Sequence, residues 1–231
     1  MSKKKIGYSV SAVLLAVSLA LLGIFIKMKI QEKKEKGNSS EDIIAEYNEV
    51  RNKYPDTSAW LDIPGTDISY PVMFSGENDE FYINHDFRGK HSKYGSLFID
   101  SMNKKDFSDN VSVIYGHYSS SGLMFGNLRK IYSNHNSFAE NNEFVLYLPE
   151  KVIKYKVFAA LPVDDSHILY YNDLNTENGF NNYFDEILNS RSLEAIIDAE
   201  NKPVFGRKVL ILSTCLSAES DSRYIVIASE I

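Results

Sequence analysis

A single cysteine, Cys215, in a chain of 231 residues excludes an internal disulfide framework and any zinc site built on several thiolates. A basic excess is also missing. The 25 Lys and Arg stand against 31 Asp and Glu, a formal charge of −6, which is the wrong balance for a protein that coats nucleic acid. The sequence has no His-Glu-x-x-His helix, no cysteine pair and no Asp-x-Asp-x-Asp-Gly loop, so nothing in it calls for a metal ion or another cofactor. Internal repeats and low-complexity tracts are absent too. What is present is 44% hydrophobic residues, with aromatics at 13%, a composition that folds rather than stays disordered. The length suffices for one sizeable core or two small ones.

The charge is unevenly spread. Residues 1–37 carry eight lysines and two glutamates, which leaves 17 basic against 29 acidic residues in the remainder, a formal charge of −12. Within the basic part, Ile6 to Ile26 runs 21 residues without a charge, long enough as a helix to span a hydrocarbon core of ~30 Å. The run is long for a cleavable signal peptide and too uniformly apolar for a core helix, which favours an uncleaved anchor. Lysines flank both ends, so charge counting does not fix the orientation. The expected organisation is a short basic tail over 1–5, a transmembrane segment over 6–26, a polar juxtamembrane linker over 27–40 and a folded domain over 41–231.

Ile43, Ile44, Tyr47, Val50 and Tyr54 recur at helical spacing until Pro55, so the domain is expected to open with an amphipathic helix. Strand character follows at Ile68–Met73, Ser96–Asp100, Val111–Tyr115, Phe144–Leu148, Val152–Leu161, Lys208–Thr214 and Arg223–Ser229. Ile153 to Val157 alternates strictly, predicting one wet face, whereas Val209 to Leu212 is apolar throughout and predicts cover on both faces. Helical interruptions are expected over Leu123–Tyr132 and Phe180–Ala199, the second broken near Ser190. Seven or more short strands with few helices predict a mainly β fold, a closed or nearly closed barrel.

Cys215 lies just past the doubly buried strand, where a strand end can hold a side chain at the mouth of a barrel. A lone cysteine is more often a small buried hydrophobe. Here Ser213 and Thr214 before it and Ala218-Glu219-Ser220-Asp221 after it suit an exposed thiol instead. A thiol of ordinary pKa is mostly protonated at neutral pH, so a nucleophilic one wants an imidazole or a cation beside it. His117 follows a strand as Tyr115-Gly116-His117, and the glycine permits a tight turn that aims the ring inward. His85, His91, His135 and His167 sit in polar, loop-like surroundings that suit surface residues. Arg223, eight residues after Cys215, opens the next strand. If a hairpin joins the two strands, both side chains reach one ligand, and a guanidinium can steady an oxyanion. A solvated strand-edge arginine is the alternative.

Tyr115-Gly116-His117, Leu212-Ser213-Thr214-Cys215 and Arg223, in this order and spacing, resemble the active-site signature of sortases, the Gram-positive cysteine transpeptidases, and the Leu-Ser-Thr-Cys form points to class B. Trp60 to Thr66, Ile68 to Val72, Phe81 to Phe87 and Gly95 to Asp100 are similar to successive stretches of the same class, so the resemblance covers about Tyr54 to Ala228. Two positions depart from it: Tyr118 stands where class B commonly has Asn, and Ile211 where it commonly has Thr. Neither removes a catalytic group.

The resemblance implies a sortase-type β-barrel with an amino-terminal helix and a helix-bearing insertion before the strand that ends at Cys215. It implies Cys215 as nucleophile, His117 as acid and base, and Arg223 as oxyanion stabiliser. Ser213, Thr214, Tyr118, Tyr170 and Tyr171 become candidate substrate contacts, although covering the barrel end is the more ordinary role for the two tyrosines. The implied reaction cleaves a carboxyl-terminal sorting motif after Thr and joins the secreted protein to an amine of peptidoglycan or its lipid-linked precursor, with hydrolysis as a side reaction. The expected setting is the cell membrane, single-pass, with the catalytic domain outside. A papain-like hydrolase is disfavoured because its cysteine precedes its histidine, whereas Cys215 follows His117 by 98 residues. A non-catalytic, membrane-anchored surface binding module on the same barrel is the alternative from another class.

Overall fold

The structure, a computed structural model, describes residues 39–76, 81–166, 168–215 and 222–231. Residues 41–231 form one compact unit. Helix α1 (Ser40–Lys53) carries Glu41 and Asp42 in its first turn and Arg51 and Lys53 in its last, charges that oppose its dipole. It buries Ile43 and Tyr47 against Trp60 and Tyr147. The Tyr47 hydroxyl donates to the Ser58 carbonyl at 3.1 Å, so the apolar contact is made without an orphaned polar group.

Among the described residues nine strands follow: β1 (Thr57–Asp62), β2 (Ser69–Met73), β3 (Leu97–Ile99), β4 (Val111–Tyr115), β5 (Glu143–Tyr147), β6 (Val152–Val163), β7 (Ile196–Ile197), β8 (Val209–Cys215) and β9 (Arg223–Glu230). They pair in the order β5-β1-β2-β3-β4-β8-β9-β6, and β5 pairs again with β6, so eight strands close a barrel with β7 appended to β6. β2–β3 and β4–β8 are parallel, and every other pairing is antiparallel.

Alternation along the strands builds two cores. Inside the barrel lie Leu61, Val72, Leu97, Ile114, Leu146, Tyr155, Leu210, Leu212, Tyr224 and Val226. Outside it, Val111, Val113, Leu161, Val209, Ile211, Ile225 and Ile227 are covered by Phe180, Phe184 and Ile187 of a helix over Glu177–Leu188. This explains the unbroken apolar run of β8, whose even positions face the interior and whose odd positions face that helix. The predicted alternation of β6 holds in the same way, with Ile153, Tyr155 and Val157 buried and Lys154 exposed.

Several local expectations are revised. β1 is buried along its length and lacks the polar alternation that marks a half-exposed strand. The first helical interruption is shorter than expected: α2 covers only Leu128–Tyr132, because Met124 takes a left-handed φ of 54° just before it, and a further turn, α3 (His135–Glu140), follows. The second holds as helix over Glu177–Leu188 only, and the chain then turns into β7. A short helix, α4 (Ile168–Tyr171), precedes it, so the longer one is α5.

The expected single-pass membrane placement is corrected. Among the described residues no helix is long and apolar enough to cross a membrane. The apolar run over 6–26, with the tail and most of the linker beside it, lies outside those residues.

Candidate active site

β4 and β8 run parallel with Tyr115 and Ser213 as Cα partners. The Gly116 N–H donates to the Ser213 carbonyl at 3.0 Å, extending the ladder one residue beyond β4. Two residues further along each chain stand His117 and Cys215. β8 and β9 run antiparallel, with Cys215 and Arg223 as direct Cα partners at the end of the pairing. The strand order β4-β8-β9 therefore puts Cys215 beside Arg223 and brings His117 in from the end of the strand on the other side of β8. Neighbouring strands are ~4.8 Å apart, which is the backbone separation of positions 215 and 223 across the β8–β9 ladder.

Period-two alternation decides which way the side chains of β8 point. Ser213 shares the face of Val209 and Ile211, the outer wall of the barrel. The groove face of β8 thus lies where the α5-covered layer ends. A cavity of about 390 Å³ opens over it, lined by His117, Ser213 and Arg223 together with Tyr115, Phe98 and Asp165. His117 is exposed.

Gly116 serves a different need from the turn inferred for it. It has no left-handed φ, but a Cβ there would sit 2.4 Å from Phe125 Cδ2 and 2.5 Å from Leu97 Cδ2. Glycine lets the end of β4 lie directly on the interior core while the next residue emerges into the groove. Tyr115, on the groove floor, packs its ring on Phe98 at 5.6 Å between centroids and donates its hydroxyl to Asp100 Oδ2 at 3.1 Å. Asp100 is fully buried, so this floor is tied to the interior.

Arg223 is half-buried, and its Nε lies 4.0 Å from Asp165 Oδ1, in the loop after β6. Sequence reasoning missed Asp165. Val163 and Arg223 are Cα partners across β6 and β9, a pairing between strands 60 residues apart that no local pattern announces.

The candidate substrate contacts divide. Ser213 is buried and lines the groove. Thr214 differs: it is 2% exposed, turns to the barrel interior opposite Tyr224, and its hydroxyl finds no hydrogen-bond partner among the described residues. One residue of strand separates it from the groove face. Tyr118 is partly buried and is not among the residues lining the groove. Tyr170 and Tyr171, on α4, do not cover the barrel end. They are 71% and 70% exposed, with their rings edge to face at 5.0 Å. Tyr171 borders a second cleft of about 510 Å³ with Asp164, Tyr183 and Glu186, and this cleft shares Val163, Ser166 and Ile168 with the main groove. Burial, with the two carboxylates nearby, pushes the Tyr183 phenol up, so it stays a neutral group there. Among the described residues no group of three or more His, Cys, Asp or Glu side chains is arranged to hold a metal ion.

Three comparisons bear on this geometry. A family model for the sortase domain matches residues 61–231. Sortase B of Listeria monocytogenes is 27% identical over 228 residues, spanning 87% of this chain and 88% of its own. The solved structure of Clostridium perfringens sortase B superposes with a TM-score of 0.68 at 27% identity, covering 80% of this chain and 98% of that one. A class B sortase of Streptococcus pyogenes involved in pilus biogenesis superposes at 0.67 with 29% identity, over 80% of this chain and 97% of its own.

Proposed function

The chain belongs to the sortase family and is a class B sortase, a cysteine transpeptidase, and from that premise we propose that Cys215, His117 and Arg223 carry the reaction on a carboxyl-terminal sorting motif. One observation supports the assignment above the rest: Cys215 and Arg223 are Cα partners on adjacent strands, His117 follows the strand on the other side of β8, and His117, Ser213 and Arg223 line one groove.

The Cys215 thiolate attacks the Thr carbonyl of the motif, forming a C–S bond and an oxyanion. Arg223 and backbone N–H groups stabilise that charge. The C–N bond then breaks as His117 gives its proton to the departing amine, leaving a thioacyl-enzyme. An amine of peptidoglycan or of its lipid-linked precursor attacks the thioester next, His117 takes its proton, and the Cys215 thiolate leaves. The protein ends in an amide bond, and water in place of the amine gives hydrolysis as a side reaction. Ser213, buried on the groove face two residues before the nucleophile, is the side chain of this strand suited to hydrogen-bond the bound motif.

The test is cleavage of a panel of fluorogenic sorting peptides, Asn-Pro-x-Thr-Asn-like and Pro-x-Thr-Gly-like, with and without amine acceptors. The reading expects cleavage after Thr, an amide product when an amine is present, and loss of both in Cys215→Ala and His117→Ala. Cleavage that survives Cys215→Ala contradicts it.

A further inference from the structure

We propose that Asp165 is a positioning residue for the transpeptidation, holding the Arg223 guanidinium at the groove so that it meets the oxyanion already oriented. The inference rests on the role given to Arg223 above and goes beyond it to a residue outside the sortase signature.

An arginine at a strand end carries about 2 kcal/mol of rotamer entropy, and an oxyanion donor is effective only when its geometry is fixed before charge develops. The Arg223 side chain is 37% exposed, so packing alone does not fix it. Asp165 Oδ1 lies 4.0 Å from Nε, on the edge of the guanidinium that an oxyanion held by the terminal nitrogens leaves unused. Asp165 itself is placed by backbone. Val163, two residues earlier, is locked opposite Arg223 in the β6–β9 ladder. Asp164 turns away from the pair, its Oδ1 accepting from the Ser166 N–H at 2.9 Å and from the Ser166 hydroxyl, which closes the turn that presents Asp165. Asp165 and Ser166 both line the groove.

Charge defines what Asp165 can do. A carboxylate facing an oxyanion directly would raise the barrier, so its favourable action runs through the cation between them. His117 follows β4, on the other side of β8 from Arg223.

The expected effect is that of a half-exposed ion pair, about threefold to fivefold. With the full chain, Asp165→Asn is expected to lower kcat for peptide cleavage by that factor while KM stays within about twofold, and Asp165→Glu to recover at least half of the loss. The ratio of native to Asp165→Asn rates should shrink toward one at about 1 M salt, where screening acts over ~3 Å. In an Arg223→Gln background, followed by single-turnover thioacylation, Asp165→Asn should add less than about 1.5-fold, because the group it positions is gone. An unchanged kcat in Asp165→Asn, a loss confined to KM, or an equal loss on the Arg223→Gln background overturns the proposal. If Arg223→Gln itself keeps the native rate, the role of Arg223 fails and the proposal falls with it, an outcome distinct from failure at Asp165 alone.

Discussion

The Gly116 N–H donates to the Ser213 carbonyl at 3.0 Å, and this one bond carries the β4–β8 ladder past the end of β4, one residue short of His117. The same glycine has no space for a methyl group, with Phe125 and Leu97 carbons within 2.6 Å of where a Cβ would stand. Gly116→Ala should therefore overpack the end of the barrel at a cost of about 1–3 kcal/mol, and it should displace His117. A lower Tm and at least a tenfold lower peptide-cleavage rate are expected. Native stability and native rate in this variant would show that the close approach is not required.

Thr214 sits in the middle of the family-like motif yet faces the barrel interior with an unpartnered hydroxyl. Replacing that hydroxyl by a methyl of similar shape removes the desolvation penalty of a buried polar atom, about 1–3 kcal/mol. Thr214→Val is expected to raise Tm by several degrees and to leave kcat and KM within about twofold. A tenfold loss of activity at unchanged Tm would place Thr214 in substrate binding after all.

Stability should fall at alkaline pH. Burial, opposed by Arg129 and reinforced by Glu194, pushes the Tyr224 phenol up to about 12. Burial also raises Tyr132 and Tyr155, which keeps both phenols neutral inside the barrel, where the Tyr224 hydroxyl donates to the Tyr132 carbonyl at 3.2 Å.

 Tyr155 is held up chiefly by desolvation, with Glu230 adding to it. A phenol whose folded pKa exceeds its unfolded value of about 10 contributes fully below pH 10, and that contribution is lost as pH rises toward the folded value, because only the unfolded chain ionises. Thermal melts should show Tm level up to about pH 9.5 and falling steeply between pH 10 and 12. Tyr224→Phe, less stable at neutral pH for want of its hydrogen bond, should lose less Tm over that alkaline window. A flat profile through pH 11 would contradict the burial argument.

Much of this arrangement was legible in the sequence, and the limits are physical. The unbroken apolar run of Val209 to Leu212 announced a strand covered on both faces, and β8 is that strand. The order His117, Cys215, Arg223 carries the family resemblance because these positions lie at or just past strand ends whose spacing the fold fixes. Thr214 and Ser213 read alike in the motif, but the pleat sends such neighbours to opposite faces. Gly116 was given a turn, when what matters is a side chain from another strand pressing on it. Asp165 left no local trace, since its partner is reached only through the long-range β6–β9 pairing. β1 escaped notice for a related reason: a strand buried on both faces shows no alternation.

The central claim is that Cys215 carries the acyl group between two substrates. Intact-mass measurement of the protein after brief incubation with a sorting peptide, without an amine acceptor, tests it most directly. The account predicts a mass increase equal to the peptide fragment ending at Thr, localised to Cys215, discharged by hydroxylamine or an acceptor amine, and absent in Cys215→Ala. Cleavage of the peptide with no adduct on Cys215, or an adduct that persists in Cys215→Ala, would contradict it.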